Sequence, residues 1–136
     1  AGHLGIDYID HCLLPKTIDG LSLDVLVGTN QHRNPKFILE KSWPSSRQFS
    51  FCRALFEHLT LPHGQFAAVS RLRTERQQMN RAFAAEFLAP HAMLKSDLSA
   101  TTVGEEEIEE LAVDYGVSAF VIRHQIENHG LANVTP

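Results

Sequence analysis

Hydrophobic positions along this chain come in two rhythms. Leu21 to Val27 and Lys36 to Lys41 are short runs rich in apolar and β-branched residues. They read as two strands joined across the polar turn 29–35. From residue 47 the spacing becomes helical. Phe49, Cys52, Leu55, Phe56 and Leu59 fall on one helix face, and Met79, Ala82, Phe83 and Phe87 on another. Ser45 with Gln48, and Thr74 with Gln77, fit the capping box, in which each side chain satisfies the other's free backbone N–H. Pro90 ends the second helix.

The flanks are less regular. Residues 4–14 read as a short helix with Leu4, Tyr8 and Cys12 on one face, stopped by Pro15. Residues 42–46 form a loop whose Trp43 caps the core, 62–70 a loop or short strand, 90–98 a turn and short helix, and 99–102 a polar linker. Thr102 with Glu105 fits a third capping box, and Glu105, Glu106 and Glu107 sit in a first turn, where the helix dipole favours negative charge. That helix buries Ile108, Leu111, Ala112 and Tyr115 and ends at Gly116. A last helix carries Phe120, Val121, Ile122 and Ile126 and stops at Gly130. Ala112, Gly116 and Ile122 have the spacing of a helix-turn-helix, which makes Arg123 and Gln125 candidate DNA contacts, although Glu127 opposes phosphate.

Two segments carry a family resemblance. Gln48-Phe49-Ser50-Phe51 and the run Arg81-Ala82-Phe83-Ala84-Ala85-Glu86-Phe87-Leu88-Ala89-Pro90 resemble the two core helices of the ImmA/IrrE family of zinc metallopeptidases. The resemblance extends from near Leu23 to Leu131. It implies an α+β, mostly helical, zincin-like fold, with a small hairpin or sheet against two core helices and a C-terminal helix pair. Residues 1–100 would form the peptidase-like core, with 101–136 packed on it in the same domain. An edge strand beside the first core helix would take an extended peptide by strand addition.

The departures from that family decide the chemistry. Its first core helix carries His-Glu-x-x-His, because residues four apart share a helix face and two imidazoles then converge on one metal. Aligned on Phe49, the corresponding positions are Arg53, Ala54, Leu55, Phe56 and Glu57. The third ligand, an acid, falls near Met79. The histidines are His3, His11, His32, His58, His63, His91, His124 and His129, and no two are four apart, so no register restores the motif. Zinc is the cofactor expected of the family, and it is expected to be lost here, leaving none.

Arg53 puts a positive charge where a dication would sit, and Glu57 lies one turn on. An Arg53–Glu57 pair is the simplest replacement for the metal. Arg53, Glu57, His58 and His63 are the candidate pocket, for an anion or, in a remodelled hydrolase, for catalysis by Glu57, His58 or His63. His3, Asp7 and His11 share a face by spacing and read either as a solvated polar face or as metal ligands. Arg71, Arg73, Arg76 and Arg81 make a basic run, read as a solvated helix face or a contact for an acidic partner.

Composition narrows the classes. The net charge of −4 gives no general attraction to nucleic acid or anionic membrane, and no apolar run is long enough to span a bilayer. Cys12 and Cys52 lie on apolar faces, which suggests core thiols in a reducing cytoplasm. The chain begins at Ala1, as a processed or excised piece would. The expectation is a catalytically silent sensing or protein-binding module of a prokaryotic regulatory protein, with a DNA-binding regulator as the alternative.

Overall fold

The computed structural model describes residues 7–9, 23–29, 35–39, 44–62 and 65–136. The fold is α+β. Strands β1 (Asp7–Ile9), β2 (Leu23–Thr29), β3 (Pro35–Leu39) and β4 (Ala67–Ser70) form one sheet in the order β1-β3-β2-β4. Helix α1 (Pro44–Thr60) lies between β3 and β4 in sequence, and α2 (Glu75–Leu88) follows β4. Helices α3 (His91–Asp97), α4 (Glu105–Tyr115) and α5 (Ala119–His129) complete the chain, with β5 (Thr102–Val103) and β6 (Asn133–Val134) as a second, two-stranded sheet.

The hairpin forms as its pattern predicts. β2 and β3 pair antiparallel, with Val27 opposite Phe37. β4 joins the far side of β2, also antiparallel. Residues 7–9 are a strand parallel to β3 and not part of a helix. Leu4, Tyr8 and Cys12 fit a helix face, but Ile6, Ile9, Leu13 and Leu14 spread apolar positions around it and fix no helical period; Tyr8 and Ile9 suit a strand once β3 offers a partner edge. The rest of 4–14, with His3, His11 and Cys12, lies outside the described residues, as do Trp43 and His63.

Two apolar clusters hold these layers. Val25 and Val27 of β2, Val69 of β4 and Ala54 of α1 are buried together, which fixes α1 on the sheet. The larger cluster joins Ala85 and Ala89 at the end of α2, Leu94 of α3, Ile108, Leu111 and Ala112 of α4, and Val121, Ile122 and Ile126 of α5. The C-terminal helix pair is thus packed on the end of α2. Gly116, at φ 65°, closes α4 in the left-handed conformation that only glycine adopts cheaply, and its N–H reaches the Ala112 carbonyl.

Several boundaries differ from the sequence reading. α1 begins at Pro44, so Ser45 lies inside its first turn instead of capping it; proline is well suited to a helix start because its missing N–H would be unpaired there anyway. Gly104 precedes α4, so Thr102 stands too far out to cap it and belongs to β5. The linker 99–102 therefore ends in a strand. Asn133 N–H donates to the Thr101 carbonyl (2.8 Å) and Thr135 N–H to that of Val103 (2.9 Å). Phe120, expected in the core, is exposed, and the buried face of α5 is Val121, Ile122, Gln125 and Ile126.

The face of α2 is also different. Met79 and Phe87 are exposed, and the buried residues are Asn80, Ala84 and Ala85. Small and polar side chains let α2 approach α1 closely, and Met79 and Phe87 turn outward.

Candidate functional site

The positions singled out on α1 meet α2 in a buried polar network. Arg53, Glu57 and Asn80 have relative exposures of 4%, 1% and 0%. Arg53 Nε donates to Asn80 Oδ1 (2.7 Å), and Asn80 Nδ2 donates to Glu57 Oε1 (2.9 Å). The Arg53–Glu57 pair expected from spacing is therefore relayed through Asn80. The four-residue spacing puts both on one helix face, but each reaches across to α2 rather than along α1.

Arg53 has further acceptors. One terminal nitrogen, Nη2, donates to the Ser70 carbonyl (2.8 Å) and to Gln77 Oε1 (2.9 Å). The other, Nη1, lies 3.5 Å from Asp24 Oδ2. Asp24 can approach because the β2–β4 pairing slips between Leu23 and Val25, and such a bulge re-aims a side chain. Burial first, and then the charge of Arg81, push the Arg53 guanidinium down to about 10, against the pull of Asp24 and Glu57. It stays a cation at neutral pH. Glu57 has a second cationic partner in Arg76, whose Nε donates to Oε2 (2.7 Å).

This arrangement accounts for the aligned metal positions one by one. Arg53 and Glu57 are joined to α2 by hydrogen bonds. Ala54 belongs to the apolar cluster against the sheet, so a carboxylate there would be buried among valines. Met79 points to solvent, and the inward position is Asn80, one residue later. His58 is half-buried on α1. In the sequence Gln77 figured only as half of a capping box, and Asn80 did not figure at all. The available signal was the stripe Gln77, Asn80 and Ala84, spaced for one face of α2 and opposite Arg53 and Glu57 on α1.

Gln77 also changes the sheet edge. Thr74 caps α2 by accepting from Gln77 N–H, but the return half of the capping box is missing, because the Gln77 side chain goes to β4. Its Nε2 donates to the Ala68 carbonyl (2.8 Å), and its Oε1 accepts from Ser70 N–H (3.0 Å). The Ser70 carbonyl takes Arg53 and Arg81. These are outward groups that an added peptide strand would use on β4. The Gln77 amide occupies them, so the edge is covered in the way native sheets protect their edges.

The helix pair keeps its expected shape but spends its polar residues internally. Gln125 is buried, and its Nε2 donates to Glu86 Oε2 and the Ala89 carbonyl, both at 2.9 Å. Arg123 is ion-paired with Glu105 and lies near Glu127. An open depression beside the pair is lined by Asp97, Glu106, Glu107, Glu110 and Asp114. That surface repels phosphate. Of the basic run, Arg76 and Arg81 are tied to Glu57 and to the Ser70 and Leu72 carbonyls.

Sequence reasoning also did not single out the contact between Glu86 at the end of α2, His91 at the start of α3 and His129 at the end of α5. Their ligating atoms all lie within 4.8 Å of one another. Burial pushes the Glu86 carboxyl up, but hydrogen bonds from Gln125 and His91, and the charge of His91, more than offset this and leave it below its ordinary value. No protein-family model matches the chain, and no curated protein is significantly similar to it.

Proposed function

We propose that this chain is a catalytically silent domain of the ImmA/IrrE metallopeptidase type, serving a regulatory protein as a sensing or protein-binding module. The observation that carries this reading is the Arg53–Asn80–Glu57 network. A peptidase of that type needs two imidazoles and a third ligand around an open metal position, with a carboxylate beside the metal-bound water. Here those positions hold a buried cation, a relaying amide, a carboxylate already bonded to Asn80 and Arg76, and an alanine packed on the sheet. Neither a metal nor an activated water has a place among them.

The binding half of the proposal rests on the outer face of α1 and α2. Phe56 and Phe83 have ring centroids 5.5 Å apart, and Phe83 and Phe87 5.7 Å, with Arg76 over Phe56 at 5.9 Å. Met79 and Phe87 are more than half exposed on the same helix. A row of aromatic rings that ends at exposed Met79 and Phe87 suits a partner segment with an apolar side chain. Strand addition to β4 is disfavoured by the Gln77 cover. Reading of DNA by Arg123 and Gln125 is disfavoured by their internal partners.

Selection of a displayed peptide library on the wild-type chain tests this face. Enriched peptides are expected to bind at least about tenfold more weakly to Met79→Ser and Phe87→Ser variants, the loss typical of one interfacial anchor. Both side chains are exposed, so the fold should tolerate the changes. Enriched peptides that bind both variants as well as the wild type, or no enrichment at all, would count against the face.

A further inference from the structure

We propose that Glu86, His91 and His129 form a binding site for a divalent transition-metal ion of the zinc class, separate from the positions where the ImmA/IrrE resemblance would put one. The donor set is one carboxylate and two imidazoles, which suits borderline ions such as zinc, cobalt and nickel. The three residues come from three helices that the larger apolar cluster locks together, so the ligands meet because the fold brings them there. His91 Nδ1 lies 2.8 Å from Glu86 Oε1, and His129 Nε2 lies 3.8 Å from Glu86 Oε2. One nitrogen of each ring thus faces one oxygen of the same carboxylate.

The two imidazoles are stacked, with centroids 4.2 Å apart and planes 9° from parallel. Each ring brings a nitrogen towards the same carboxylate, so one ion can take a donor atom from all three side chains. Tetrahedral coordination with bonds near 2.0–2.1 Å needs donor atoms about 3.4 Å apart. The donors present lie within 4.8 Å, so His129 closes by roughly an ångström and the rings turn to converge their lone pairs. His129 is the last residue of α5 and its side chain is 37% exposed, so it has room to do so.

The carboxylate is held from behind. Gln125, only 3% exposed, donates to Glu86 Oε2 and is itself fixed on the Ala89 carbonyl. A buried partner of this kind orients a ligand and is worth about tenfold or more in metal affinity at known sites. All three ligands remain partly exposed, at 44%, 44% and 37% for Glu86, His91 and His129, so a bound ion would keep a coordination position open to water or a partner's side chain. Because it would tie α2, α3 and α5 together, the ion would also stabilise the packing of the C-terminal helix pair.

Calorimetric titration of the full chain with zinc chloride tests the site, with thermal melting alongside. One saturable ion per chain is expected, with a higher melting temperature. Affinity should fall at least about tenfold in His91→Asn and in His129→Asn, as expected on losing one ligand. It should be unchanged in a His3→Asn/His11→Asn variant, which removes two histidines far in sequence from all three ligands. If one single variant fails to fold, the other carries the test. The absence of saturable uptake would overturn the proposal. So would uptake that survives both single variants, or that disappears with His3 and His11. None of these results depends on whether the α1–α2 face binds a protein.

Discussion

Replacing Arg53 with methionine is the sharpest perturbation of the α1–α2 interface. Methionine keeps most of the length and apolar stem but removes the guanidinium. It deletes the bonds to Asn80, Ser70 and Gln77 and the ion contact to Asp24. Some partners recover. The Ser70 carbonyl keeps Arg81, and Gln77 Oε1 keeps Ser70 N–H. Asn80 Oδ1 does worse, because Asn80 is fully buried. Removing one member of a buried, hydrogen-bonded charge network costs about 3–5 kcal/mol. For a chain of this length that corresponds to a fall in melting temperature of roughly 10–20 °C.

The control is Arg123→Ala, which breaks a partly exposed pair with Glu105 and should cost at most about 1 kcal/mol. Urea unfolding followed by circular dichroism measures both. A loss below about 1 kcal/mol for Arg53→Met would mean that the guanidinium is solvated in the native protein, and the network argument would fail. A double-mutant cycle with Glu57→Leu adds a second check. Coupling between the two sites should shrink sharply in an Asn80→Ala background, because Asn80 relays it.

Three further outcomes follow from the same geometry. Burial, the Asp97 hydrogen bond and the charges of Asp97 and Asp114 push the Tyr115 phenol up to about 12. An unfolded tyrosine titrates near 10, so the native state holds the proton longer, and this contribution to stability is complete below about pH 10 and lost as pH rises to about 12; absorbance titration of a Tyr8→Phe variant should show it, and Tyr115→Phe should remove it. Burial pushes the Cys52 thiol up to about 11, so in a Cys12→Ser variant a thiol reagent should label the native protein roughly a hundredfold more slowly than the unfolded chain. Comparable rates would mean that α1 does not seal Cys52 against the sheet. Gly116→Ala should lose about 1–2 kcal/mol in urea unfolding, since φ is 65° there, whereas an unchanged midpoint would refute the left-handed cap.

The elements most legible in the sequence were those with a strong period and a clear stop. The β2–β3 hairpin, α4 closed by Gly116 and α5 closed by Gly130 needed only alternation, helical spacing and a terminal glycine. The N-terminal strand was illegible because three residues cannot display a period, and their pairing with β3 is a tertiary event. α2 misled for a different reason. Met79 and Phe87 face outward, and its inner face is built from Gln77, Asn80, Ala84 and Ala85, small or polar residues that a search for bulky apolar positions passes over. The candidate site was half legible. Arg53 and Glu57 could be paired by spacing, but the partner that joins them lies across the helix interface. Glu86 and His91 stand only five residues apart, but His129 is separated from them by the whole helix pair, and only the packing of α5 on α2 and α3 brings it to them.

Peptide cleavage is the most direct test of whether the network has replaced a working site. A mixed-sequence peptide library incubated with the zinc-supplemented chain, and followed by mass spectrometry, should show no turnover above a protein-free control. Cleavage that persists through purification and is abolished by Glu57→Gln would contradict the account, because it would require a metal and an activated water where Arg53, Asn80 and Glu57 hold one another.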